Sequence, residues 1–558
     1  MVWCPRSAGY KFTHKSDVLQ SKFGKSRLPG ILPSCGAQCI YPSTHRLCLP
    51  IQGSITPKHD ICRSRTRLKI VHRTGLEYEV GLHSSCSCNE LVSLTERHLA
   101  AVIQPCVEDI KRAGRASRKF YNVVLEPTSY NNVIAAYSGT KRAIYIKALE
   151  SLRSKGLQDW HRRVKMFIKL DKMPLETVKT KPPRAIQYRA PEFNLKFSRF
   201  IKAFEHYYYE NLTYGTTSRV VAKGLNQVER AQLLIQKAEQ FVKPIYLLLD
   251  HTAFDASIGT HWLKQTHRKY LKSMPYKKLH KLLKAQLVNF GYTKFGHQYM
   301  VKGTRMSGES DTGCGNVVVN LDAIYYVLMQ SLIKKFEILV DGDDSIVIIE
   351  EKDLKLLRME IFERLGFKTK LEIAYTLETA EFCQSRIVFT DPPKFVRNPC
   401  RAVSHATCTP HTYSRDKYDE WMNAVGTCEV SLNSGVPVLQ TFGQSLITGD
   451  NLFWTQELRE RMSLETVRGA EPITDQVRMS FYRAWGISPE LQRELETVIT
   501  YRAFKRFTNS DKNDESIQRA RSLLERRFES GSSCWWCGCK GRGKSVSELG
   551  ELTTIKPV

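Results

Sequence analysis

Residues Phe336 to Glu350 read FEILVDGDDSIVIIE, two apolar runs around a short acidic turn. Ile338, Leu339 and Val340 lead in and Ile346 to Ile349 lead out, each run of strand length and composition. Between them, Asp341-Gly342 readily supplies the positive backbone angles of a tight turn, so the stretch predicts a β-hairpin. The turn also gathers three carboxylates, Asp341, Asp343 and Asp344, between strands marked for burial. Such charges raise one another's proton affinity unless a cation neutralises them, and oxygen-only ligands suit Mg2+ or Mn2+. A solvated surface hairpin is the better reading of an isolated Gly-Asp-Asp, so the turn needs partners elsewhere in the chain.

The first partner is a second strand end. Ile245 to Leu249 form an apolar run that stops at Asp250 and continues through His-Thr-Ala-Phe to Asp255. A metal pair that activates a 3′-hydroxyl and steadies a leaving pyrophosphate needs carboxylates from two converging strands, because one turn cannot bracket ions ~4 Å apart. Asp250 and Asp343 meet that need. The other partner is Ser307-Gly308, then Thr312, then Asn316, at the start of an apolar segment that runs to about Ile333. This predicts a glycine-containing loop feeding a helix, in which glycine lets backbone approach a nucleotide and Ser, Thr and Asn offer hydrogen bonds to its sugar.

In this order, Asp250-x4-Asp255, Ser307-Gly308-x3-Thr312-x3-Asn316 and Gly342-Asp343-Asp344 resemble motifs A, B and C of positive-strand RNA virus RNA-dependent RNA polymerases. The likeness is to tombusvirus and carmovirus-like replicases and runs over roughly residues 75 to 450. It implies an α+β right-hand polymerase with fingers, palm and thumb, whose antiparallel palm sheet carries the Gly-Asp-Asp hairpin. It also implies two-metal nucleotidyl transfer from ribonucleoside triphosphates, with Asp250, Asp343 and Asp344 on two Mg2+ or Mn2+ ions. Asp255, Ser307, Gly308, Thr312 and Asn316 then bind the nucleotide, Asp255 and Asn316 as the pair that recognises the ribose 2′-hydroxyl.

Composition supports a large folded protein. The 558 residues exceed what one core usually serves, so two or three subdomains are expected. Lys and Arg number 84 against 56 acidic residues, a formal charge of +28, which with 42% hydrophobic and 10% aromatic residues marks a folded basic chain whose natural partners are polyanions. No run of 18 apolar residues predicts a membrane span. Sixteen irregularly spaced cysteines fit a reduced compartment better than a disulfide framework. Membrane targeting is expected from a separate anchoring viral replication protein, with the chain in the host cytoplasm at membrane-associated replication complexes.

Residues 1–75 hold thirteen Lys or Arg and two acidic residues and read as a little-ordered basic arm. Cys35, Cys39, His45, Cys48 and Cys62 match no metal spacing, and Cys534, Cys537 and Cys539 in the tail, three cysteines without a nearby fourth ligand, make a weak metal site. The stretch 76–244 is assigned to the N-terminal region and fingers, beginning near GLHSSCSCNELVSLTERHL, a segment similar to the one that opens the family's polymerase region. Tyr145, Ala148, Leu149 and Leu152 predict an amphipathic helix with a basic outer face. Lys165, Lys169, Lys172, Arg184 and Arg189 then collect with little acidic offset and resemble motif F, which guides the triphosphate. Lys165, Lys169, Arg184 and Arg189 are its expected contacts, the two arginines first, because a guanidinium grips phosphate oxygens bidentately.

The palm is expected over 245–390, with a basic helical fingers insertion over 257–300 broken at Gly291-Tyr292. A helix from about Asp353 to Leu365 precedes the strand Phe367 to Leu371, in the place of motif D, whose lysine protonates departing pyrophosphate. Lys370 is the first candidate and Lys368 the second. Glu381 to Ser385 resembles motif E. Residues 391–530 are assigned to the thumb and 531–558 to a tail, and Glu429 stands where the resemblance leads one to expect glycine. Two other readings stay open: a reverse transcriptase, which would normally show Tyr-x-Asp-Asp, and a non-enzymatic basic RNA-binding protein.

Overall fold

The two apolar runs of 336–350 pair as the antiparallel strands Phe336–Asp341 and Asp344–Glu350, with Asp341 opposite Asp344 and Gly342 and Asp343 between them. Gly342 has φ 71°, a conformation glycine takes without strain. The computed structural model describes residues 77–508 and four short strands nearer the N-terminus, Phe12–Thr13, Ala37–Ile40, Arg46–Leu49 and Lys69–Ile70. The cysteine-bearing tail lies outside the described residues.

A four-stranded antiparallel sheet runs in the order Phe336–Asp341, Asp344–Glu350, Pro244–Thr252, Lys368–Ala374. Side-chain alternation sorts its residues onto two cores. Ile338, Val340, Val347 and Ile349 share one cluster with Val317, Val318, Leu321 and Ile324 of the Thr312–Gln330 helix. Leu339, Ile346 and Ile348 share another with Ala231 and Leu234 of the Gln227–Ala238 helix. Burial on both faces is why the strands read as continuous apolar runs, each large side chain contributing roughly 1.5–3 kcal/mol.

A second sheet joins Arg46–Leu49, Gln298–Lys302, Val288–Thr293, Val164–Ile168 and Ala185–Tyr188, with Phe12–Thr13 and Ala37–Ile40 beyond Arg46–Leu49. Two expectations change here. Residues 258–300 are helical only in Thr260–Ser273 and Lys277–Lys284, and Gly291 lies within the strand Val288–Thr293. A Cβ at Gly291 would fall 2.1 Å from the Tyr299 ring, so this glycine marks close cross-strand packing rather than a helix break. Within 1–75, Arg46–Leu49 pairs with Gln298–Lys302, and apart from the four short strands the arm lies outside the described residues. The expected helix 353–365 is shorter, a 3-10 turn over Glu351–Leu356 followed by Glu360–Arg364.

Contacts divide the chain into two units. The first contains Gly81–Ile387 and Pro392–Phe395, hence both sheets just described. The second, built on Val388–Asp391 and the described residues from Val396 onward, packs Trp421, Phe442, Phe481 and Ile499 from four helices into one core. Inside it Glu429 is fully buried between Arg397 (2.6 Å) and Arg461 (2.8 Å) and accepts from Asn433 (3.0 Å). The two guanidiniums hold its carboxyl below the usual range against the opposing effect of burial. A glutamate at this position is therefore a paired core charge.

Candidate active site

Asp250 lies near the end of Pro244–Thr252, beside the acidic hairpin. Ser345 pairs with Leu249, so Asp344 and Asp250 are the next residues along these adjacent strands. On the other side Lys370 stands directly opposite Asp250, whereas Lys368 faces Thr252. Directly opposed residues share a face of the sheet, which places Lys370 nearer the carboxylates.

The carboxylates at the turn are not equivalent. Asp341 is paired with Arg230 at 2.6 Å, and Lys223 lies 3.7 Å away. Asp343 and Asp344 form no ion pair among the described residues and keep access to solvent, yet protein surrounds them. Loss of surrounding water raises Asp343, with Asp255 and Asp250 adding to the shift. Desolvation and then Asp343 push Asp344 up to about 6.

A hydrogen-bond chain fixes this turn, through residues that the sequence reading did not single out. Asn320 Nδ2 donates to the carbonyls of Gly342 (3.2 Å) and Asp343 (3.1 Å). Its Oδ1 is therefore the atom facing His251 Nε2 at 3.1 Å, which makes that nitrogen the donor and leaves Nδ1 to accept from Thr369 Oγ1 at 2.8 Å. Burial pushes His251 down to about 4, so the ring is neutral at physiological pH. The visible signal was a lone asparagine inside the apolar run VVVNL.

Asp255 and Asn316 come together, with Asn316 Nδ2 donating to Asp255 Oδ1 at 2.8 Å. Asn316 Oδ1 is buried with no hydrogen-bond partner among the described residues, an acceptor left open at this point. The other loop residues serve the protein itself. Ser307 Oγ donates to Ala185 O (2.8 Å) and accepts from Gln187 N (3.2 Å), and Gly308 N donates to Gln187 O (2.8 Å). A Cβ on Gly308 would fall 2.9 Å from that same oxygen, so glycine here permits strand contact rather than the nucleotide approach first read into it. Thr312 Oγ1 donates to Met306 O at 2.7 Å, closing the loop onto its helix.

The basic residues divide in the same way. Lys165 is exposed on Val164–Ile168, Lys169 pairs with Asp171 at 3.1 Å, and the exposed Arg184 lies 3.6 Å from Asp171. Arg184 also lowers the proton affinity of Asp255 and Asp343, which places its charge at the acidic cluster. Arg189 departs from expectation. It is 1% exposed and donates to Glu309, Asn289 Oδ1 and the carbonyls of Arg162 and Ala285. Its donors are spent inside the protein, so it braces the 305–312 loop and has no free fork for a phosphate.

The sequence match with a family described as viral RNA dependent RNA polymerase covers residues 54–505, the whole of this site. The chain belongs to that family. Among similar proteins is the RNA-directed RNA polymerase of Tobacco necrosis virus (strain A), 31% identical over 448 residues, covering 75% of this chain and 61% of the relative. That of Groundnut rosette virus (strain MC1) is 31% identical over 76% of this chain and 53% of its own, and that of Carnation mottle virus 30% over 76% and 59%. These relatives bear out the resemblance to tombusvirus and carmovirus-like polymerases. The chain spans only about half to three-fifths of their length.

Divalent metal use accords with the family, and the donor chemistry fits a hard cation: oxygen-only, mutually repelling carboxylates from two neighbouring strands, two of them without a counter-charge. Among the described residues no three His, Cys, Asp or Glu side chains are already gathered around one ion position.

Proposed function

We propose that this chain copies RNA from an RNA template, transferring nucleotides from ribonucleoside triphosphates to an RNA 3′-hydroxyl. The observation that carries this reading is the convergence of uncompensated Asp343 and Asp344 with Asp250, beside an Asp255–Asn316 pair that keeps an acceptor open. The mixed α/β architecture with its antiparallel sheet supports a right-hand arrangement, with fingers before residue 245, a palm over 245–390 and a thumb after it.

Asp250, Asp343 and Asp344 would hold Mg2+ or Mn2+, two ions in all, which when bound supply Lewis-acid activation of the 3′-hydroxyl and neutralise charge on the leaving pyrophosphate. The Asn320–His251–Thr369 chain holds the Gly342-Asp343 turn in register with Asp250. Asp255 orients the Asn316 amide so that Oδ1 accepts from the ribose 2′-hydroxyl, a group deoxynucleotides lack. Arg184 attracts the triphosphate, and Lys370, across from Asp250, donates a proton to departing pyrophosphate. Template and product RNA are the macromolecular partners of the +28 chain. Among the described residues no helix is long and apolar enough to cross a membrane, so an anchoring viral protein is proposed to bring the chain to membrane-associated complexes in the host cytoplasm.

The test is template-directed incorporation by the purified chain on a defined RNA primer–template with ribonucleoside triphosphates. Products complementary to the template are expected. Template-independent addition, or none with Mg2+ or Mn2+ present, contradicts the proposal.

A further inference from the structure

The segment GLHSSCSCNELVSLTERHL reaches the acidic site from far upstream. Its Ser87–Ser93 helix widens into a π-helical turn over Leu94–His98, closed by Leu99 N donating to Leu94 O at 2.8 Å. Such turns are frequent at functional sites because they re-aim one side chain. This one is held rigidly. Leu94 and Leu99 are fully buried in a cluster that also contains Ala185, next to Arg184, and Met306, next to Ser307. His98 Nδ1 lies 2.9 Å from Gln187 Nε2, and the Gln187 backbone is the group bonded to Ser307 and Gly308. Glu90 accepts from Phe295 N at 3.2 Å, which pins the helix preceding the turn.

Arg97 sits on this turn between the two buried leucines. It is half-buried and, among the described residues, makes no hydrogen bond and no ion pair. None of its nitrogens is among the buried atoms without a partner, so its donors stay accessible and unused, and such a guanidinium can take an anion. The shared cluster with Ala185 and Met306 and the His98–Gln187 contact place the turn beside the Ala185–Tyr188 strand and the 306–308 loop, where Arg184, Asp255, Asp171 and Asp343 are among the charges that act on Arg97. Among the described residues neither Arg97 nor Arg184 forms an ion pair with Asp255 or Asp343, so two cations stand near the carboxylates without contacting them.

We propose that Arg97 binds the triphosphate of the incoming nucleotide together with Arg184, in the role first read into Arg189. The inference rests on the polymerase reading above. Arg184 comes from the strand-end loop and Arg97 from the π-helical turn, so the phosphates are gripped from two elements that share one packing cluster. Arg97 is a binding residue for the polyphosphate, whereas Arg189 positions the loop beneath it.

Single-nucleotide kinetics on a pre-annealed primer–template test this with Arg97→Gln, Arg97→Met and Arg97→Lys. Loss of one charged phosphate contact should raise the nucleotide KM about tenfold or more and weaken pyrophosphate inhibition in parallel, with kcat changed less. Lysine should restore part of both, and RNA affinity should not change. An unchanged KM and pyrophosphate inhibition in a folded neutral variant overturns the inference. Weakened RNA binding with an unchanged nucleotide KM also overturns it, since Arg97 would then contact the RNA backbone. Failure of both neutral variants to fold would make Arg97 a core residue and equally overturn it. An inactive wild type would instead refute the polymerase reading itself.

Discussion

Asn316 carries the most specific chemistry of any single residue here, because its amide is oriented by Asp255 while its oxygen stays unpaired. A buried hydrogen-bonding site can reject an analogue lacking its hydroxyl by as much as ~10⁴. Asn316→Ala should therefore cut the ribo-to-deoxy ratio of incorporation efficiency at least about tenfold. Matched ribo- and deoxynucleotide kinetics check this, and an unchanged ratio would leave Asn316 only a structural role. The two arginines expected to contact the triphosphate diverge just as sharply. Arg189→Gln strips a counter-charge from buried Glu309 and should cost about 3–5 kcal/mol of stability in denaturant unfolding, whereas Arg184→Gln should leave stability near wild type and raise the nucleotide KM. The resemblance to the family's A and B motifs paired Asp255 with Asn316. It could not separate Arg184 from Arg189, because both are cations five positions apart on one stretch, and only the packing around Glu309 and Asn289 distinguishes them.

Among elements, the acidic hairpin and the Thr312–Gln330 helix were legible because burial on both sides left long, mostly apolar runs. The Val288–Thr293 and Gln298–Lys302 strands were not, since Gly291 signals a break in any local reading and its reason, the Tyr299 ring, lies eight residues away. The loop at 307–308 was recognised but its contact was misjudged, because nothing local reveals that Ala185–Tyr188 rather than a ligand presses on Gly308. Gly308→Ala places a methyl 2.9 Å from the Gln187 carbonyl and must shift the loop away from its strand. Nucleotide addition should fall on the order of tenfold or more while the unfolding midpoint drops only modestly. Wild-type kinetics in this variant would show that the strand contact does not position the loop.

For the molecule as a whole, acid should be destabilising. His98 is pushed down to about 3 and His251, His267 and His297 to about 4, all chiefly by desolvation. In the unfolded chain each titrates near ~6.5, so unfolding takes up protons below that pH. Their contribution is complete above ~6.5 and is lost as pH falls towards 4, by up to ~1.4 kcal/mol per pH unit for each histidine. Asp344, raised to about 6, opposes this by favouring the folded state at low pH, and Asp343, Asp255, Glu205, Glu309 and Glu90, raised by burial, act with it, whereas Asp109, Glu350 and Glu429, held low by their partners, act with the histidines. Unfolding midpoints should therefore drop between pH 7 and pH 5, and a flat or rising profile would contradict the buried neutral histidines. The same carboxylate shifts imply competition between protons and metal. Mg2+ or Mn2+ should raise the midpoint more at pH 7 than at pH 5, with the increment lost in Asp343→Asn.

The central claim, that Asp250 on its strand and Asp343 in the neighbouring hairpin turn form one catalytic centre on RNA, is tested most directly by template-directed incorporation with Asp250→Asn and Asp343→Asn beside wild type. RNA affinity and thermal unfolding are measured on the same preparations. Each substitution preserves shape and removes one anionic ligand. The account predicts incorporation at background in both variants, with RNA binding and folding retained. Near-normal synthesis by either folded variant would contradict it.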